Sequence, residues 1–135
     1  MDKTPIEIKL MNDLELMTVE NDNLHLSIAL NYGGRDEIVR ATKKIAEKVK
    51  LGQINTDDIS AELFSNNLDT FDLPDPDLVI RTSGEMRTSN FLPWQCAYSE
   101  YVFEQSNWPD FNKDIYQKIL NDFKNRERRF GAVLK

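Results

Sequence analysis

At 135 residues the chain is one domain's worth of polypeptide, enough for a single core but modest for a complete α/β enzyme. With 40% hydrophobic and 30% charged residues it reads as soluble and globular, and a net charge of −6 argues against nucleic acid as the main partner, since phosphate contacts need a basic face. No apolar run approaches the roughly 20 residues that span a bilayer, and no basic segment followed by an apolar one opens the chain, so the expected compartment is the cytoplasm.

In chain order, residues 5–19 place Ile6, Leu10, Leu14 and Met17 at intervals of four, four and three, which predicts an amphipathic helix packed through one apolar stripe. A turn follows at residues 20–23. Residues 24–32 are apolar at nearly every position from Leu26 to Leu30, with Ser27 interrupting, and predict a strand buried on both faces, as in a parallel sheet. Gly33 and Gly34 then reverse the chain, with Arg35 in a structural role, ahead of a helix over 36–50 whose apolar face is Ile38, Ala41, Ile45 and Val49. Its basic residues fall in the later turns, where they complement the helix dipole. Gly52 stops it, and Thr56 caps a short helix over 59–63. Residues 69–76 form a linker whose aspartates and prolines are turn formers and not metal ligands.

The stretch from Asp75 to Phe103 organises the rest. Leu78, Val79 and Ile80 predict a buried strand that stops at Arg81 and a turn over 82–84. Arg81, Arg87 and Ser89 follow within nine positions, with Ser89 or Asn90 as the cap of a short helix and Pro93 in its first turn. Guanidinium forks match phosphate oxygens two at a time, and a loop at a strand's carboxyl end is where open α/β sheets bind ligands, so one reading is a diphosphate site. The other is that Arg81 and Arg87 pair with Glu85 and Asp77 on a solvated loop; the residues alone leave the two level. Glu100 precedes a second apolar run, Tyr101 to Phe103. Cys96 reads as a buried small hydrophobe, and His25, the single histidine, lies on the predicted strand with no role as its partner. A turn with aromatic anchors at Trp108 and Phe111 leads to a last helix over 113–129, with Ile115, Ile119, Leu120 and Phe123 on its apolar face and a basic end closed by Gly131. The order is helix, strand, helix, helix, strand, short helix, strand, helix, which predicts an α/β fold with a mainly parallel sheet flanked by helices.

Residues 77–91, followed by Trp94, Gln95, Tyr98 and Glu100, resemble the carboxyl-terminal signature of the cis-prenyltransferases, the family of bacterial undecaprenyl diphosphate synthase. Residues 31–38 and 126–131 resemble further stretches of the same family. The resemblance implies condensation of isopentenyl diphosphate with an allylic diphosphate such as farnesyl diphosphate, to make a cis-polyprenyl diphosphate. It implies that Arg81, Arg87, Thr88 and Ser89 hold the diphosphate of isopentenyl diphosphate, and that Glu100 is the acidic residue associated with magnesium (Mg2+). Arg129 and Gly131 would reach the diphosphate site of a neighbouring subunit in a homodimer. Membrane contact would be peripheral, through the lipid product. Met86 stands where bacterial members can carry histidine.

By the same resemblance, residues 1–135 are the carboxyl-terminal part of a single isoprenyl transferase domain, an incomplete version of the fold. The family's Asp-Gly-Asn-Gly-Arg-Trp loop, which holds magnesium and the allylic diphosphate, does not occur in the chain. The chain is therefore expected to be inactive alone and to need a complementing amino-terminal half. A non-catalytic partner subunit and a decayed gene fragment are the alternatives.

Overall fold

The structure, a computed structural model, describes residues 5–127, so the subunit-crossing contact expected of Arg129 and Gly131 lies outside the described residues. The chain divides into two compact units, Met1–Tyr32 and Gly33–Lys135.

In the first unit, helix α1 spans Pro5–Thr18. It ends where Thr18 Oγ1 turns back to donate to Leu14 O at 2.9 Å and the Asn21 N–H bonds Thr18 O at 2.9 Å, replacing the helical ladder with a turn. Two expectations fail here. Leu10, Leu14 and Met17, predicted to pack as a core stripe, are exposed. Residues 24–32, predicted as a buried strand, carry no strand assignment and are exposed up to Asn31, because among the described residues nothing offers them a ladder. His25 is accordingly not on a strand; its Nε2 lies 3.0 Å from Ser27 Oγ.

The second unit holds the core. Helix α2 (Gly34–Lys50) buries Ala41 and Ile45 on the predicted face, with Ile38 and Val49 half-buried. It closes as expected at Gly52, which sits at φ 69°, with its N–H bonded to Val49 O at 3.0 Å. Lys44 and Lys48 do more than complement the dipole: their ammonium groups bond Asn67 O and Asn67 Oδ1 at 3.1 and 2.8 Å. The cap expected of Thr56 belongs to its neighbours. Asn55 and Asp58 form a reciprocal capping box around a single 3-10 turn, and Ser60 Oγ accepts from the Leu63 N–H at 3.1 Å to start helix α3 (Ala61–Ser65).

Strands β1 (Leu78–Arg81) and β2 (Glu100–Phe103) pair in parallel, Leu78 opposite Glu100 and Arg81 opposite Phe103. The sheet of the described residues has two strands where three were expected. Helix α4 (Lys113–Lys124) is capped by Asn112 Oδ1, which accepts from the Asp114 and Ile115 N–H groups at 3.0 and 3.1 Å, and it buries Ile119. It stops short of the predicted residue 129.

Parallel strands cannot be joined by a tight turn, so the connection over 82–99 must travel the length of the sheet. The short helix predicted there does not form. Ser89, Asn90 and Leu92 instead take left-handed backbone, φ 50°, 66° and 46°. Asn90 is a cap, but of α2: its carbonyl accepts the Gly34 N–H at 2.8 Å and its Oδ1 accepts the Arg35 N–H at 2.9 Å. Pro93 lies so close to Gly34 that a Cβ there would overlap the proline Cγ and Cδ. Gly34→Ala therefore lowers the unfolding free energy by about 1–3 kcal/mol, the cost of overpacking a close contact. Gly33→Ala, whose Cβ would meet only the movable Asn90 Nδ2 at 3.1 Å, shifts it by less; equal denaturant midpoints for the two variants would contradict the contact.

Candidate diphosphate site

Because β1 and β2 run in parallel, their carboxyl ends share one edge, and the backbone extends the ladder past them. The Glu104 N–H bonds Arg81 O at 2.7 Å, the Gly84 N–H bonds Glu104 O at 2.9 Å, and the Ser83 N–H bonds Ser106 O at 2.8 Å. Ser83 and Gly84 are left-handed in succession, φ 69° and 65°, and turn the chain away from the strand. Glycine suits that φ at 84, and a Cβ there would lie 2.7 Å from Gln105 Oε1, the end of a side chain able to move aside.

The loop then folds back on its own strand end. Arg81 Nη1 donates to Ser89 Oγ at 3.0 Å, and Arg87 pairs with Glu85. One cleft of about 430 Å³ gathers Arg81, Arg87 and Thr88 of the predicted set, together with Thr82, Ser83 and an apolar wall of Phe91, Tyr101 and Phe103. Ser89 is beside it through Arg81. A second cleft of about 310 Å³ is lined by Arg35, Thr88, Asn90 and Pro93, so Thr88 borders both. Of the two readings of the arginines, the ion pair holds for Arg87 with Glu85, while Arg81 is tied to a hydroxyl.

Glu100 stands apart from this cluster. The register places it opposite Leu78, at the start of β2, while Arg81 is at the other end opposite Phe103. Its Oε2 accepts from Arg126 Nη1 at 2.9 Å, and the same nitrogen reaches Tyr101 O at 3.2 Å, which ties the end of α4 to β2. No group of three or more His, Cys, Asp or Glu able to hold a metal occurs among the described residues. One carboxylate already shared with a guanidinium does not make an octahedral oxygen site by itself.

Two titratable groups at the strand ends are shifted. Burial, then the neighbouring Cys96 thiol, pushes the Tyr101 phenol above its ordinary value. The Ser106 N–H, donated to Glu104 Oε1 at 2.9 Å, is the main cause that holds the Glu104 carboxyl below the usual range. Cys96 is a buried free thiol, as its apolar neighbours predict.

The support beneath the loop was not predicted. Glu37, 1% exposed, accepts the Asp69 N–H on Oε1 at 2.9 Å and the Gln95 amide on both oxygens, at 3.3 and 3.1 Å. Gln95 Nε2 also reaches Thr70 Oγ1 at 2.9 Å. Trp94 Nε1 donates to Ser65 Oγ at 2.9 Å and its ring packs on Phe64 with centroids 4.4 Å apart. One buried carboxylate thus joins α2, the 69–70 linker and the descending arm of the loop. A signal for it existed: Glu37, Ala41 and Ile45 are four apart, so a charge sits in the apolar stripe.

A family model described as "Putative undecaprenyl diphosphate synthase" matches residues 4–131. The chain is 55% identical over 116 residues to an isoprenyl transferase of Clostridium perfringens, covering 86% of this chain and 46% of that protein. It is likewise 55% identical over 124 residues to one of Brucella suis, covering 92% and 49%. Among solved structures it is similar to lavandulyl diphosphate synthase from Lavandula x intermedia, determined in complex with dimethylallyl diphosphate, with a TM-score of 0.88 and 35% identity over 96% of this chain and 56% of that one. It is similar also to "a probable undecaprenyl diphosphate synthase" from Campylobacter jejuni, with a TM-score of 0.80 and 35% identity over 97% and 58%. The chain spans about half the length of the curated relatives it matches.

The buried carboxylate makes a prediction whose sign opposes simple hydrophobicity. Glu37→Leu matches the apolar stripe but strands the Asp69 N–H and the Gln95 amide, and it lowers stability by about 1–3 kcal/mol. Glu37→Gln keeps one acceptor oxygen and loses less. A leucine variant at least as stable as the parent in urea would contradict the role assigned to Glu37.

Proposed function

The chain belongs to the undecaprenyl diphosphate synthase family of isoprenyl transferases, and on that premise we propose that it carries the isopentenyl diphosphate half-site of a cis-polyprenyl diphosphate synthase. Residues 1–135 are then the carboxyl-terminal part of one transferase domain, working in the cytoplasm and touching membrane only through its lipid product. No helix among the described residues is long and apolar enough to cross a membrane.

The observation that carries the reading is the composition of the larger cleft. Two guanidinium groups and the hydroxyls of Thr82, Ser83 and Thr88 line it beside the Glu85 carboxylate, and Phe91, Tyr101 and Phe103 add apolar surface. That division suits a small amphiphile with a multiply charged head and a short hydrocarbon tail, and isopentenyl diphosphate is such a molecule. The diphosphate oxygens take the forks of Arg81 and Arg87, with Thr88 and Ser89 adding neutral donors. Glu85 holds the Arg87 guanidinium until the ligand displaces it.

The other half of the reaction needs more than this chain holds. An allylic diphosphate must lose its leaving group and the isopentenyl unit must lose a proton, and preorganised charge at the leaving group supplies much of the acceleration. A magnesium ion there would draw its ligands from the diphosphates and from residues outside this sequence, since Glu100, which the resemblance implies for that role, lies at the other end of β2 and is bonded to Arg126. Condensation therefore draws on residues beyond those of this sequence, such as a homodimer partner or a complementing amino-terminal half.

Calorimetric titration with isopentenyl diphosphate tests the reading. Arg81→Ala and Arg87→Ala each weaken binding by about tenfold or more, the worth of a charge-assisted hydrogen bond. Glu85→Gln strengthens it by up to about fivefold, the value of one exposed ion pair. Affinity indifferent to both arginines would overturn the half-site. The purified chain given farnesyl diphosphate, isopentenyl diphosphate and magnesium makes no extractable polyprenyl product; product formation would show that the half-site is a whole one.

A further inference from the structure

Arg35 is the one guanidinium of the described residues that the fold leaves without a partner. Arg40 pairs with Asp36 and Asp69, Arg81 bonds Ser89, Arg87 pairs with Glu85, and Arg126 holds Glu100. The carboxylates next to Arg35 in sequence are engaged elsewhere, Asp36 by Arg40 and Glu37 by the Asp69 N–H and the Gln95 amide. A cation in the first turn of α2 also stands at the positive end of the helix dipole, an unfavourable place unless an anion joins it. The helix backbone offers that anion nothing at Gly34 and Arg35, because Asn90 has taken both N–H groups.

The surroundings of Arg35 connect it to the arginines of the larger cleft. It lines the smaller cleft with Thr88, Asn90 and Pro93, and Thr88 also lines the larger one, so a single residue borders both. The Thr88 hydroxyl has no hydrogen-bond partner among the described residues. Three arginines thus meet the segment 87–90: Arg87 belongs to it, Arg81 bonds Ser89 Oγ, and the Arg35 N–H bonds Asn90 Oδ1. The two clefts differ in chemistry. Phe91, Tyr101 and Phe103 give the larger one apolar surface, whereas the smaller one sets a guanidinium, a hydroxyl and an amide against Pro93. A hydrocarbon tail belongs in the first, and the outer phosphate of a diphosphate suits the second.

We infer that Arg35 is a specificity-determining residue: its guanidinium takes the terminal phosphate of isopentenyl diphosphate across Thr88, while Arg81 and Arg87 take the phosphate that carries the hydrocarbon. The site thereby distinguishes a diphosphate from a monophosphate, which engages the larger cleft alone. The inference rests on the proposed half-site and adds to it a residue of α2, outside the crossover.

Calorimetric titration of the chain with isopentenyl diphosphate and, separately, with isopentenyl monophosphate tests this role. Arg35→Ala keeps the backbone N–H that bonds Asn90 Oδ1 and weakens diphosphate binding by about tenfold, the worth of a charge-assisted hydrogen bond, with monophosphate binding within about twofold of the parent. Arg35→Lys, a point charge without the planar fork, recovers part of the loss. Arg81→Ala weakens both ligands. A disturbance of the fold in Arg35→Ala would weaken both as well, so the ratio of the two affinities isolates the contact. Equal losses for the two ligands overturn the inference, as does a second diphosphate bound per chain, since the smaller cleft is then a separate site. If Arg35→Ala changes neither affinity while Arg81→Ala and Arg87→Ala weaken both, the half-site stands and the role of Arg35 falls. If the parent chain binds no isopentenyl diphosphate, both fall.

Discussion

The close approach of Gly34 to Pro93 fixes what the rest of the second unit can do. Only a residue without a side chain lets the crossover pass this near the start of α2, and once there Asn90 takes the first two N–H groups of that helix with its carbonyl and its Oδ1. Free N–H groups at a helix start are the usual attraction for an anion. Here the protein itself satisfies them. The guanidinium groups nearby are those of Arg81, at the end of β1, and Arg87, on the crossover, held by Ser89 and by Glu85.

The strain of that arrangement is concentrated in a few residues. Ser83, Ser89, Asn90 and Leu92 are left-handed without being glycine, at about 1 kcal/mol or more each. Such conformations persist only where surrounding contacts over-determine them. The Arg81 to Ser89 bond, the Glu37 and Gln95 network and the Trp94 to Ser65 anchor are those contacts. A chain of net charge −6 can thus gather Arg81 and Arg87 in one cleft, because the Glu85 carboxylate there is paired with Arg87 and Glu100 is at the far end of β2. The four exposed alternating residues of 24–30 are the complementary case: a pattern with no contact to complete it.

What was legible in the sequence followed the range of the interaction. Helix α2 and its stop at Gly52 rest on neighbours within a few positions, and strands β1 and β2, though paired 22 positions apart, each show as a short apolar run. Asn90 was recognisable as a capping residue, yet the helix it caps lies 55 residues away, which no local spacing reveals. For Glu100 the resemblance implied an association with magnesium, and its place at the start of β2, opposite Leu78, follows from the strand register alone. The strand expected over 24–32 had the right pattern and lacks a pairing partner among the described residues. The residues alone left the arginines level between ion pairs and a ligand; the resemblance implied a diphosphate role, and the structure added the cleft that gathers Arg81, Arg87 and Thr88.

The most direct test of the dependence of this cleft on the helix cap is the pyrophosphate affinity of Asn90→Gly. Glycine keeps the left-handed backbone and the carbonyl bond to Gly34 while removing the Oδ1 bond to the Arg35 N–H, and Asn90 does not line the larger cleft. The account predicts affinity about fivefold weaker with Arg81 and Arg87 untouched, the loss of roughly one hydrogen bond's worth of preorganisation. Unchanged affinity in a variant that melts at a lower temperature would show that the cap stabilises the fold without shaping the site.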